Sequence, residues 1–79
     1  MEKNEILTRV KDVVSSVLKV DSSEITDEAN FIFDLGADSM QSVELVAGFE
    51  ETFDIEMDQD RALEIQSIDD AVNFIAEYL

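Results

Sequence analysis

No cysteine occurs in the 79 residues, so no disulfide holds the fold and no thiolate can serve as nucleophile or metal ligand. Histidine is also missing. That removes the side chain best suited to proton transfer near neutrality and leaves only oxygen ligands for any metal. Proline is absent and glycine appears twice, as Gly36 and Gly48, which favours helices over turn-rich β-structure. No apolar run is long enough to span a bilayer, and no basic start, apolar middle and small-residue end marks a signal peptide. A cytoplasmic protein without stable membrane insertion is the expectation.

Basic residues are scarce. Five Lys and Arg face twenty Asp and Glu, for a net charge of −15. Residues 1–19 hold Lys3, Arg9, Lys11 and Lys19 against three acids, and the remaining residues hold Arg61 alone against seventeen. Such a surface repels nucleic acid phosphates and anionic lipid headgroups and attracts proteins with basic patches. The plainer reading is that the acids only maintain solubility.

The length suits one domain over residues 1–79, near the small end of what folds unaided, and a hydrophobic fraction of 46% allows a modest core. In residues 5–19, Ile6, Leu7, Val10, Val13, Val14, Val17 and Leu18 form one helical stripe that excludes every charge, with Asn4 placed to cap it. Residues 21–38 keep no period. Their apolar cluster, Phe31, Ile32, Phe33 and Leu35, is expected to fold back over the core. Helical spacing returns over 39–53. Met40, Val43, Leu45, Val46, Ala47, Phe49 and Phe53 face inward, and Gln41, Glu44, Gly48, Glu51 and Thr52 face outward. Glu50 breaks this pattern, and a glycine at 48 suggests a close approach to the backbone. A short helix is predicted near 58–64. Ser67, with Asp70 three residues on, opens a final helix whose inner face includes Ile68, Ala71, Val72, Phe74, Ile75, Tyr78 and Leu79. The predicted fold is all-α: a small antiparallel-type four-helix bundle of three longer helices and one short one, with a long loop between the first two.

Independent catalysis is disfavoured, because Ser39 has no histidine to activate it and every lysine lies in residues 1–19. The alternation of Asp54, Glu56, Asp58 and Asp60 resembles the start of a calcium loop, but Gln59 stands where glycine is needed and Ile65 where glutamate is needed. No catalytic residue and no dedicated metal site is expected. Ser39 itself has two readings. Serine is a favoured N-cap. Asp38 can take that role, however, with Gln41 completing a capping box, and Ser39 then becomes a first helical residue with a free hydroxyl near the positive end of the helix dipole. From the residues alone, a plain helix start and a modification site both remain open.

DLGADSM at 34–40, followed by QSVELVAGFEETFDIEM, resembles the acyl carrier protein family, whose signature is Asp-Ser-Leu at the start of the second helix after Asp-Leu-Gly-Ala. The resemblance extends over nearly the whole chain. It implies that Ser39, flanked by Asp38 and Met40, carries 4′-phosphopantetheine from coenzyme A as a phosphodiester, and that the arm's thiol holds acyl groups as thioesters. It further implies that Gln41, Glu44, Ala47 and Glu51 dock basic patches of a phosphopantetheinyl transferase and of acyl-transferring and synthase enzymes. A monomer is expected, and the resemblance implies an acyl chain sheltered between helices; the valines of the first helix and the small Ala47 and Gly48 are compatible with an expandable core, ordinary packing being the plainer reading of each. Met40 replaces the usual Leu, as in some related carriers, Gln41 replaces a common acid, and Ala47 and Gly48 are small for the family. These departures leave open a specialised carrier for a modified lipid or polyketide, a D-alanyl or peptidyl carrier, or, in another class, an acidic helical adaptor without a prosthetic group.

Overall fold

The computed structural model describes residues 1–79. Helix α1 spans Lys3–Leu18, α2 Ser39–Phe53, α3 Gln59–Ala62 and α4 Ile68–Ala76, and one 3-10 turn, Ser22–Glu24, lies in the first loop. There is no strand, and the predicted all-α bundle of three longer helices and one short helix is observed. No helix is long and apolar enough to cross a membrane.

Helix α1 is the element against which both α2 and α4 pack. Its Ile6, Val10 and Val14 recur at four-residue spacing and are buried, while Leu7, Val13, Val17 and Leu18 flank them at the core's edge. Valine is stiff in a helix and lowers intrinsic propensity, so α1 owes its stability to this packing. Full burial of each such side chain contributes about 1.5–3 kcal/mol. The helix begins earlier than the sequence suggested. Its N-cap is Glu2, without a side-chain cap, and Asn4 lies inside the first turn, where its carbonyl accepts the Thr8 hydroxyl at 3.0 Å. Lys19 ends the helix in the left-handed conformation, φ 58°, and the Ser15 hydroxyl donates to the Val20 carbonyl at 2.5 Å.

The core is one cluster of 17 buried residues, all apolar. Helix α2 supplies Leu45, Phe49 and Phe53, and α4 supplies Ile68, Ala71, Val72, Phe74 and Ile75. Gly48 is not on the outward side of α2 as its spacing implied. It faces α1, where a Cβ would stand 2.7 Å from Val13 Cγ1. The apolar arc of α2 is also narrower than expected. Met40 and Val43 are exposed, because only part of that arc meets α1 and the core.

The first loop is stitched to the entry of α4. Phe31 N–H donates to the Gln66 carbonyl at 2.9 Å, Ile68 N–H to Ala29 at 3.0 Å and Asp69 N–H to Asp27 at 3.0 Å. An isolated bridge pairs Asn30 with Ser67, and Lys11 reaches from α1 to Asp27 at 2.7 Å. Ile25, Ala29, Phe31 and Ala37 are thereby buried. The Ser67 cap is present, its hydroxyl accepting from Asp70 N–H at 3.2 Å. Asp70 reaches back to Gln66 N–H at 3.3 Å rather than to Ser67 itself.

Helix α3 is shorter than the predicted 58–64. Asp58 caps it, accepting from Asp60 and Arg61 N–H, so this carboxylate of the acidic run is engaged locally. Polar handles hold α3 on α4. Tyr78 hydroxyl accepts from Asp58 N–H at 3.1 Å, and Arg61 pairs with Glu77 at 3.0 Å while lying 4.9 Å above the Phe74 ring.

Candidate functional site

The turn that delivers the chain to α2 is built from one asparagine. Asn30 Oδ1 accepts from the backbone N–H of Ile32 and Phe33, both at 2.9 Å, and Asn30 N–H donates to Asp34 Oδ2 at 2.7 Å. Gly36 follows at φ 73°, in the left-handed region, and its N–H donates to the Ile32 carbonyl at 3.1 Å. Nothing lies within 4 Å of where its Cβ would be, so glycine is required there for its backbone conformation and not for space. Ala37 is buried and Leu35 packs against the core, so the turn is anchored on both sides of Gly36.

Asp38 then caps α2. Its Oδ1 accepts from Gln41 N–H at 2.8 Å, and Gln41 Oε1 accepts from Asp38 N–H at 3.1 Å, the reciprocal pair of a capping box. The Ser42 hydroxyl donates to the Asp38 carbonyl at 3.0 Å. Ser39 is therefore the first helical residue. It is exposed, and its hydroxyl makes no hydrogen bond to the protein. No acid stands in the first turn of α2, and the Ser39 and Met40 N–H groups donate to no protein acceptor. A phosphodiester on Ser39 would meet free donors at the positive end of the helix dipole, so the residues present fit such a group.

The side chains read as a partner face occupy the solvent side of α2. Glu44, Ala47 and Glu51 are exposed and Gln41 is half-buried. Neither Glu44 nor Glu51 forms an ion pair: the three ion pairs of the molecule engage Glu5, Asp27 and Glu77, leaving seventeen of the twenty acids without a cationic partner. Glu50, the exception in the periodicity, is half-buried. Its Oε2 accepts from Met57 N–H at 3.0 Å and ties the segment after α2 back onto the helix.

A cavity of about 330 Å³ opens between α2, the Asn30 turn and α3. Leu45, Val46, Phe49, Phe31, Ala62 and Ile65 line it, with Ser42 near Ser39 and with Ile32, Phe33 and Leu63 at its rim. Ser39, Ser42 and Val46 recur at i, i+3 and i+7 along α2, and the last two line the cavity. The room for an apolar ligand is thus not beside Gly48, where Val13 fills the gap between α1 and α2. Ile32 and Phe33 do not cover the core as expected: they are 58% and 87% exposed. Spacing from Ser39 could have brought Ser42 to notice, but nothing local in the sequence connected Phe31, Ala62 and Ile65.

The chain matches the family described as "Phosphopantetheine attachment site" over residues 8–75. It is 51% identical over 74 residues to an acyl carrier protein of Caulobacter vibrioides, covering 94% of this chain and 95% of that one. It is 50% identical over 76 residues to an acyl carrier protein of Phenylobacterium zucineum, at 96% of each chain. To an acyl carrier protein of Guillardia theta it is 46% identical over 77 residues, at 98% of this chain and 95% of the relative.

Proposed function

The chain belongs to the acyl carrier protein family, a carrier and not an enzyme, and on that premise we propose that Ser39 is the residue that bears 4′-phosphopantetheine. One observation carries this assignment: the Asp38–Gln41 pair already caps α2, so the Ser39 hydroxyl has no structural task and stands free at the helix start. The group supplies the thiol that the sequence lacks. Asp38 fixes the helix start, Gly36 and the Asn30 turn present the serine, and exposure of Ser39 and Met40 leaves a modifying enzyme access to both.

The cavity beside α2 is the natural shelter for the acyl chain. Its lining is predominantly apolar, its volume lies near the lower end of the roughly 300–1,000 Å³ typical of small-molecule sites, and Ser42, three residues on from Ser39, belongs to that lining. Gln41, Glu44, Ala47 and Glu51 form the face for the phosphopantetheinyl transferase and for acyl-transferring and synthase enzymes with basic patches. The carrier acts as a cytoplasmic monomer in this reading.

The test is direct. Incubation with coenzyme A and a broad-specificity phosphopantetheinyl transferase should add the mass of one phosphopantetheine, and Ser39→Ala should add none. An equal gain in Ser39→Ala refutes the assignment of Ser39. The absence of any gain in the native chain refutes the prosthetic group.

A further inference from the structure

Seven large apolar side chains are exposed, and they are not scattered. Met1 and Leu79 stand at the two ends of the sequence. The other five gather around Ser39 and the cavity. Ile32, Phe33 and Leu63 line the cavity itself, Val43 and Leu63 line a smaller hollow beside it, and Met40 adjoins Ser39. Contiguous apolar exposure of this kind on an acidic surface marks a surface that is covered in use.

Two members differ from the rest in how they are held. Phe33 is the most exposed, at 87%, yet its backbone is fixed by the Asn30 side chain beneath it and by the Gly36–Ile32 hydrogen bond beside it. Leu63, 62% exposed, is the C-cap of α3, and its N–H donates to Gln59 at 3.0 Å. They come from separate elements, the loop before α2 and the helix after it, and border one cavity with α2 as its remaining wall.

We propose that Phe33 and Leu63 form an apolar clasp at the mouth of this cavity, covering the part of a longer acyl chain that the cavity does not enclose, and so set which chain lengths are protected. The proposal rests on the reading of the cavity as the acyl shelter. A short chain fits inside and never reaches the clasp. A long chain emerges between the two side chains, where each further methylene gains apolar contact in place of water. The clasp therefore discriminates by length and leaves the attachment chemistry at Ser39 untouched.

The test uses the 79-residue chain loaded with butyryl, octanoyl, dodecanoyl or hexadecanoyl phosphopantetheine. Cleavage of the thioester by hydroxylamine is followed by intact mass. Both positions are exposed, so Phe33→Glu and Leu63→Glu should fold, which the melting temperature of the unmodified forms checks. In the native sequence, cleavage should slow as the chain lengthens. Either variant should restore faster cleavage of the two longest chains by roughly fivefold, as expected for losing partial burial of one large apolar side chain, with butyryl unchanged. Phe33→Leu should retain most of the protection.

Rates that depend on chain length in the native protein but are the same in the variants overturn the clasp and leave the cavity reading standing. Rates independent of chain length in the native protein overturn both. Variants that slow modification by the transferase, with unaltered acyl protection, assign the two side chains to a protein partner and also overturn the clasp.

Discussion

Gly48 makes room for Val13: a Cβ on residue 48 would stand 2.7 Å from Val13 Cγ1, closer than packed carbon atoms come. The two helices are seated on each other through this missing side chain. A helix-interior glycine costs about 1 kcal/mol relative to alanine, and here that cost is offset by close packing against a residue whose χ1 is stiff.

Replacing Gly48 with alanine should therefore destabilise the fold. Overpacking costs about 1–3 kcal/mol and the propensity gain returns about 1 kcal/mol, for a net loss near 1 kcal/mol. In a Val13→Ala background the sign should reverse, because the obstruction is gone. Urea denaturation of the four proteins of this cycle measures the coupling. A stabilising Gly48→Ala in the native background would contradict the seating.

Glu50 predicts a local effect. Its carboxylate holds the Met57 N–H across the turn between α2 and α3. Glu50→Ala leaves that donor without its partner and should cost about 1–2 kcal/mol. Glu50→Gln keeps an acceptor and should cost much less. Hydrogen exchange at Met57 should accelerate in Glu50→Ala, and an unchanged rate would show that the bond does not persist in solution.

Asp21 predicts a pH response. Its pKa is lowered, first by the Ser23 backbone N–H and then by the Ser23 hydroxyl, which donate at 2.9 and 2.8 Å. The folded-state value thus lies below the unfolded one. The associated stability is complete above the ordinary carboxylate pKa and is lost as pH falls through the depressed value. In a carboxyl-carbon NMR titration Asp21 should titrate below the ordinary Asp range, and Ser23→Ala should move it upward by removing the hydroxyl donor. The chain's overall stability should barely respond, since Asp21 is fully exposed.

The acidic face predicts a salt response. With seventeen unpaired acids, added salt should raise the melting temperature by screening self-repulsion. Glu44→Lys and Glu51→Lys should each weaken transferase binding by about two- to fivefold at low ionic strength, the range of exposed ion pairs, without lowering stability. The loss should shrink as salt rises. Binding indifferent to both charge reversal and salt would place the docking surface elsewhere.

Sequence alone determined whatever depends on neighbours a few residues apart. The Asp38–Gln41 box, the extent of α2 over 39–53 and the Ser67 cap are local arrangements whose partners lie within one helical turn. The pairing of DLGADSM with a following amphipathic helix was legible for the same reason, and with it the family resemblance, while the residues alone left both readings of Ser39 open.

Only the tertiary structure decided which apolar side chains are covered. Periodicity gave Met40 and Val43 the same standing as Leu45 and Phe49, yet the first two are exposed and the second two are core. The difference arises because only part of the apolar arc of α2 meets α1 and the core. The same holds for Phe33, left 87% exposed, for Gly48, turned toward Val13, and for Glu50, bound seven residues away to Met57. Such contacts follow from how whole elements pack, and helical spacing within one segment carries no information about what lies opposite it.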